Sequence, residues 1–188
     1  MSILRGYVTA VDAFNYGIGR IIMFGIFAMM AVLLWSTITK FSDQPSLWTL
    51  EAAQFAMIAY FFLGGPYALQ MGSHVRMDLF YDSWSPERKA LVDAVTVFFL
   101  MTYLVIMLWG GLSSTAYSLG YFGSQPIGFF FGLATGAEEL GTLERSRTIW
   151  RPYLWPIKTV MVVGIILMLL QATSELCKDV LRLRGEEV

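Results

Sequence analysis

The 188-residue sequence predicts an all-α integral membrane protein. It has four transmembrane helices, an N-terminal amphipathic interfacial helix, a long outer loop between helices 3 and 4, and both termini cytoplasmic. Three observations lead there. Hydrophobic residues make up 56 % of the chain and charged residues 14 %, where a soluble domain has about a quarter of its residues charged. Mean hydropathy is +0.60. Four apolar runs reach the ~20 residues needed to cross a hydrocarbon core.

The elements follow in order. Residues 1–15 set Leu4, Tyr7, Val8, Val11 and Phe14 at helical spacing, with Ser2, Arg5, Thr9, Asp12 and Asn15 elsewhere on the turn. That pattern suits a helix lying in the headgroup plane. It lacks the layout of a cleaved signal peptide, so the segment is expected to stay. The first span covers about 16–38, and Arg20 near its start can snorkel to the interface. The second covers about 48–70, with Trp48 and Glu51 at its opening. There a carboxylate meets the positive end of the helix dipole. In "LGGPYALQ", Pro66 removes one helical hydrogen bond and Gly64 and Gly65 permit close approach of another backbone, which predicts a kink with a packing face.

The turn "MGSHVRMDLFYDSWSPERK" holds the only histidine. His74 and Asp78 stand at i,i+4, Arg76 lies between them, and Ser85-Pro86 reads as a helix start. The third span covers about 91–112, and its helical pattern allows an extension through "SSTAYSL". The fourth covers about 153–173 and continues into a polar stretch with Glu175/Lys178 and Asp179/Arg182 at i,i+3. The outer loop, 120–151, is too apolar for a solvated linker and too broken by glycine for a span. It is expected in the interface or against a partner protein. No internal repeat is visible, which disfavours an inverted-repeat carrier.

Orientation follows from basic residues in the flanks. Arg5, Arg20, Arg76, Arg88, Lys89, Lys178, Arg182 and Arg184 fall on the side of the termini; Lys40, Arg145, Arg147 and Arg151 fall on the other. The imbalance puts both termini in the cytoplasm. Trp35, Trp48, Trp109, Trp150 and Trp155 then cluster near the outer interface, and Trp84 near the inner one.

Several function classes fall away. Net charge is −1 and no basic stripe is interleaved with aromatics, so no nucleic acid is expected. The single Cys177 makes no intrachain disulfide, and one histidine excludes a haem held by two histidines of this chain. No cofactor, metal, catalytic or substrate-binding residue is predicted. Ion-coupled carriers bind their ions through polar groups at bilayer depth, yet no span has a carboxylate at mid-membrane, which counts against an antiporter of the small multidrug kind. Two rivals remain: a self-sufficient homo-oligomeric transporter or channel, and a membrane redox or quinone-binding enzyme.

Trp48 and Glu51, then "FLGGPYAL", then "GSHVRMDLF", then "SPERKALVD" together resemble the small membrane subunit of tripartite ATP-independent periplasmic (TRAP) transporters, the DctQ-like family. The pattern is a W-x-x-E opening, a glycine-containing middle with Gly64 and Gly65, and a G-x-H-V-R-x-D turn with Gly72, His74, Arg76 and Asp78. "LERSRTIWRPYLWPIKTVMVVGIILMLLQ" is similar to the fourth-helix region of longer members, with an E-x-S (Glu144, Ser146) followed by W-P-I-K. The resemblance covers about 48–171 and implies an accessory role. A large multi-span subunit would carry the substrate and sodium sites, and a periplasmic binding protein would deliver an organic acid. This chain would pack on the large subunit, in contact with membrane lipids. Gly64, Gly65, Gly110 and Gly111 are candidates for that packing face. Glu138, Glu139 and Glu144 are candidates for docking the binding protein. His74, Arg76 and Asp78 would fix the turn or hold the partner.

Overall fold

The computed structural model describes residues 2–72 and 86–183. Six helices account for most of them: α1 Ser2–Ile22, α2 Gly25–Phe41, α3 Thr49–Gln70, α4 Pro86–Ser118, α5 Pro126–Thr135 and α6 Trp155–Leu183. Four stretches are long and apolar enough to cross a membrane: Leu4–Phe41, Thr49–Gln70, Val95–Ser118 and Trp155–Leu181. The first is 38 residues long, or about 57 Å at 1.5 Å per residue. That is nearly twice the ~30 Å of a hydrocarbon core, so α1 and α2 cannot both lie within it along the normal.

The break within that stretch falls at Met23-Phe24, later than the junction at residue 15 that amphipathicity suggests. α1 therefore extends past that junction to Ile22, and it also packs differently. Val8, Asn15 and Gly19 are buried, whereas Leu4 and Phe14 of the apolar stripe are exposed. The face turned into the bundle is the mixed one, because it has polar partners there. Asp12 Oδ1 accepts from Gln171 Nε2 at 2.9 Å and from Ser174 Oγ at 3.0 Å. Lys178 Nζ lies 2.7 Å from Asp12 Oδ2 and 2.8 Å from Glu175 Oε1. Asn15 Nδ2 donates to Gln171 Oε1 at 2.7 Å. Tyr7 and Thr173 share a hydroxyl bond. This polar seam joins the first half of α1 to the second half of α6 at one end of the bundle. The opposite end carries the long loop.

α6, the last helix, is the hub: α1, α3 and α4 all pack on it. Its seam with α4 has alternating spacings of three and four residues. Val97, Met101, Leu104, Leu108, Gly111 and Thr115 face Val162, Ile165, Leu169 and Ala172. A 3.5-residue repeat keeps one stripe in register over a long contact between nearly parallel helices. α3 meets α6 through backbone. Pro66 has no N–H to give the Phe62 carbonyl, and that carbonyl faces Gly164. A Cβ on Gly164 would stand 2.6 Å from the Phe62 oxygen. The helix continues through Pro66 to Gln70 without a break. α2 lies at the edge, with no buried residue.

At the loop end, α4 runs to Ser118, through the "SSTAYSL" extension, before Gly120 turns the chain at φ +90°. α5 follows, with Pro126 in its first turn and the left-handed Gly136 as its stop. Sequence reading did not foresee this helix. Phe129 stacks on Tyr121 and, with Ala116 and Leu119, fixes α5 to the end of α4.

Candidate functional site

The loop end gathers what the sequence keeps apart. Glu51, in the first turn of α3, is 4 % exposed. Its Oε1 accepts from Ser146 Oγ at 2.9 Å and from the Thr148 hydroxyl; its Oε2 is buried without a donor among the described residues. The carboxylate thus has two hydroxyls from a remote loop besides the helix dipole that its position predicts. Glu144, two residues before Ser146, holds Lys158 of α6 at 2.7 Å. Lys158 Nζ also donates to the Ser114 carbonyl of α4 at 3.2 Å. The ammonium lies 5.8 Å from the centroid of the Tyr117 ring, a cation–π distance.

Between these anchors the chain forms a short closed loop. Arg145 and Tyr153 make an antiparallel bridge. Ser146 N donates to Pro152 O at 2.9 Å, and Leu154 N to Glu144 O at 3.2 Å. The Arg145 guanidinium stacks on the Tyr153 ring, 4.4 Å from its centroid, and bonds its hydroxyl. Farther back, Gly120 and Gly141 meet backbone to backbone, and Glu144 N donates to Ser118 O at 3.0 Å. Any side chain at either glycine would force these strands of loop apart. Hydroxyls join the α2 end to the α3 start: Thr49 donates to Ser36 at 3.1 Å and pairs with Ser46 at 2.8 Å.

The candidate residues therefore divide. Trp48 precedes α3 and is exposed. Glu51 and Glu144 are anchors of the loop. Glu144 is paired with Lys158 and keeps its side chain partly exposed. Glu138 and Glu139 are exposed, and the Glu138 stem covers Gly132. Gly65 and Gly111 lie against Met168 and Val162 of this chain's own α6, Gly64 is in ordinary contact with Ile22, and Gly110 has open space. His74, Arg76 and Asp78 lie outside the described residues.

Ser146, Thr148 and Lys158 are the residues that sequence reading did not assign a role. Their signal was present as motif spacing: the W-x-x-E, E-x-S and W-P-I-K pieces lie up to about a hundred residues apart, yet they meet here through Glu51–Ser146 and Glu144–Lys158. Among the described residues no group of three or more histidine, cysteine, aspartate or glutamate side chains stands close enough to hold a metal. The contacts of the site join segments that lie far apart in the chain.

Comparison with known proteins places the chain in a family. No curated protein and no solved structure gives a significant match. One family model matches over residues 29–182: tripartite ATP-independent periplasmic transporters, DctQ component. That range takes in α3 to α6, the loop-end anchors and nearly all of α2. The chain belongs to the DctQ family of tripartite ATP-independent periplasmic transporter components.

Proposed function

We propose that this chain is the accessory small subunit of a sodium-coupled transporter that imports an organic acid delivered by a periplasmic binding protein. As a DctQ component it is a multi-pass inner-membrane protein of a transporter and not an enzyme. The finer reading rests on one observation. In α2, α3, α4 and α6, the Asp, Glu, Lys and Arg residues within the candidate spans stand only toward their ends: Lys40, Glu51, Lys158, Glu175, Lys178 and Asp179. Lys158 and Lys178, twenty positions apart on α6, are separated by about 30 Å, which is the depth of the hydrocarbon core. A carrier is expected to hold an ion-binding or proton-relaying carboxylate near mid-membrane, and there α2, α3, α4 and α6 have no Asp, Glu, Lys or Arg. Substrate and sodium then belong to a larger membrane partner.

The chain's own share is scaffolding. α2 and the outward faces of α3 and α4 present apolar side chains to lipid or to that partner, and Gly110 gives α4 a place for close approach. The loop end faces the periplasm in this reading, because basic residues crowd the end that holds the termini. It there contributes to the surface on which the binding protein docks.

Reconstitution tests the proposal. In proteoliposomes the purified chain alone is expected to move no organic acid. Together with its large membrane partner and the soluble component it is expected to support sodium-dependent uptake. Uptake by the chain alone would replace the accessory reading with the self-sufficient carrier.

A further inference from the structure

The anchors at the loop end hold in place a segment that they do not cover, residues 147–151, "RTIWR". Ile149 is 79 % exposed and Trp150 is 45 % exposed. Both belong to the loop and not to a membrane helix. Thr148 ties the segment to Glu51 at the start of α3, and Ser146 N–H ties it to Pro152 just before α6. It therefore sits beside the starts of α3 and α6, with its apolar side chains uncovered by the rest of the chain. Arg147 and Arg151 flank them, both exposed and neither in an ion pair among the described residues. Arg151 has φ 50°, a left-handed conformation that a non-glycine residue keeps only where its surroundings impose it.

Taken together these features make a surface for binding. Exposed large apolar groups are ordinary singly, but a Trp–Ile pair framed by arginines has the composition of an interface hot spot. Holding the pair rigid before binding removes the ordering cost that a loose loop would incur. Positive charge is also disfavoured in loops that cross to the outer side, yet three arginines fall within seven residues here. The acid nearest in sequence, Glu144, is taken by Lys158, so the segment's charge is not neutralised at home.

We propose that residues 147–151 are a preformed docking tip for a soluble protein with an acidic face and an apolar depression, the depression receiving Trp150 and Ile149. Resting on the function proposed above, this assigns the partner's face the opposite sign from the one that docking acids would require. A lipid-anchoring tip needs access to the bilayer at the rim of the bundle. This one carries two exposed arginines with no ion-pair partner among the described residues, which favours a partner that supplies the acids.

The test uses the complete complex, with the soluble component titrated onto it in lipid nanodiscs. Arg147→Glu with Arg151→Glu is expected to weaken binding at least tenfold and to reduce its salt dependence, mostly through the association rate. Trp150→Ala is expected to weaken binding at least tenfold through the dissociation rate. Arg147→Lys with Arg151→Lys should keep most of the affinity. Co-purification with the large partner checks that each variant assembles; if the reversed pair does not, Arg147→Gln with Arg151→Gln must show the same loss. Variants that bind as tightly as the parent overturn the tip alone. So does quenching of Trp150 fluorescence by brominated lipid, which would make the tip a membrane anchor. Failure of the parent complex to bind any soluble component overturns the function on which the proposal rests.

Discussion

Gly164 lies where a missing hydrogen bond lets two helices touch. Pro66 leaves the Phe62 carbonyl without its helical donor, and Gly164 packs against that carbonyl so closely that a Cβ would stand 2.6 Å from its oxygen. A methyl group at Gly164 has only backbone to displace. Gly164→Ala is therefore expected to destabilise the purified chain by about 1–3 kcal/mol, the usual cost of overpacking a fitted contact. Thermal unfolding in detergent measures it, and an unchanged midpoint would show that α3 and α6 can separate freely. Gly65 predicts a milder result, since the Met168 Cε that it faces ends a flexible side chain.

The element that most differs from what sequence predicts is the loop after α4. Its helix α5 was marked by Pro126 at the start and Gly136 at the end, but "GFFF" and scattered glycines hide any apolar period. The spans were legible because lipid demands long apolar runs whatever the tertiary fold. The polar extension of α6 was legible too, through Glu175 and Lys178, which do pair. The α1 packing face was not, because Asp12 and Asn15 look solvent-facing until Gln171 and Lys178 stand opposite them. At the site, Glu51 was singled out from its place at a helix start. That it holds Ser146 and Thr148 depends on a contact across ninety-odd residues that no local pattern contains. Removing the carboxylate tests this latch. Glu51→Ala leaves two hydroxyls without their acceptor, on the order of 1–3 kcal/mol. It should speed tryptic cleavage after Arg145 and Arg147 while cleavage after Arg20 stays as it was. Equal rates at the tip would mean that the loop holds itself.

Across the whole molecule, one helix carries most of the long-range structure. α6 receives α4 along an apolar seam, α3 through backbone, and α1 through the polar seam at the termini end. The ion pair there is more than half shielded from solvent, with side-chain exposures of 13 % for Lys178 and 21 % for Asp12. Lys178→Met and Asp12→Asn are each expected to destabilise the chain, and the double variant to cost less than their sum. A coupling of about 1–3 kcal/mol is expected from contacting residues in one network. Additive effects in the thermal midpoints would remove Lys178 from the α1 contact.

That α6 is also the last helix has a consequence for how the protein is made. Ribosomes deliver the chain from α1 onward, so α1 to α4 enter the bilayer before their common partner has been translated. During that interval Asn15 and Asp12 have no Gln171 or Lys178, and the Phe62 carbonyl has no glycine against it. The nascent protein is a set of inserted but unassembled segments, exposed to membrane proteases and chaperones, until synthesis of Trp155–Leu183 closes the bundle.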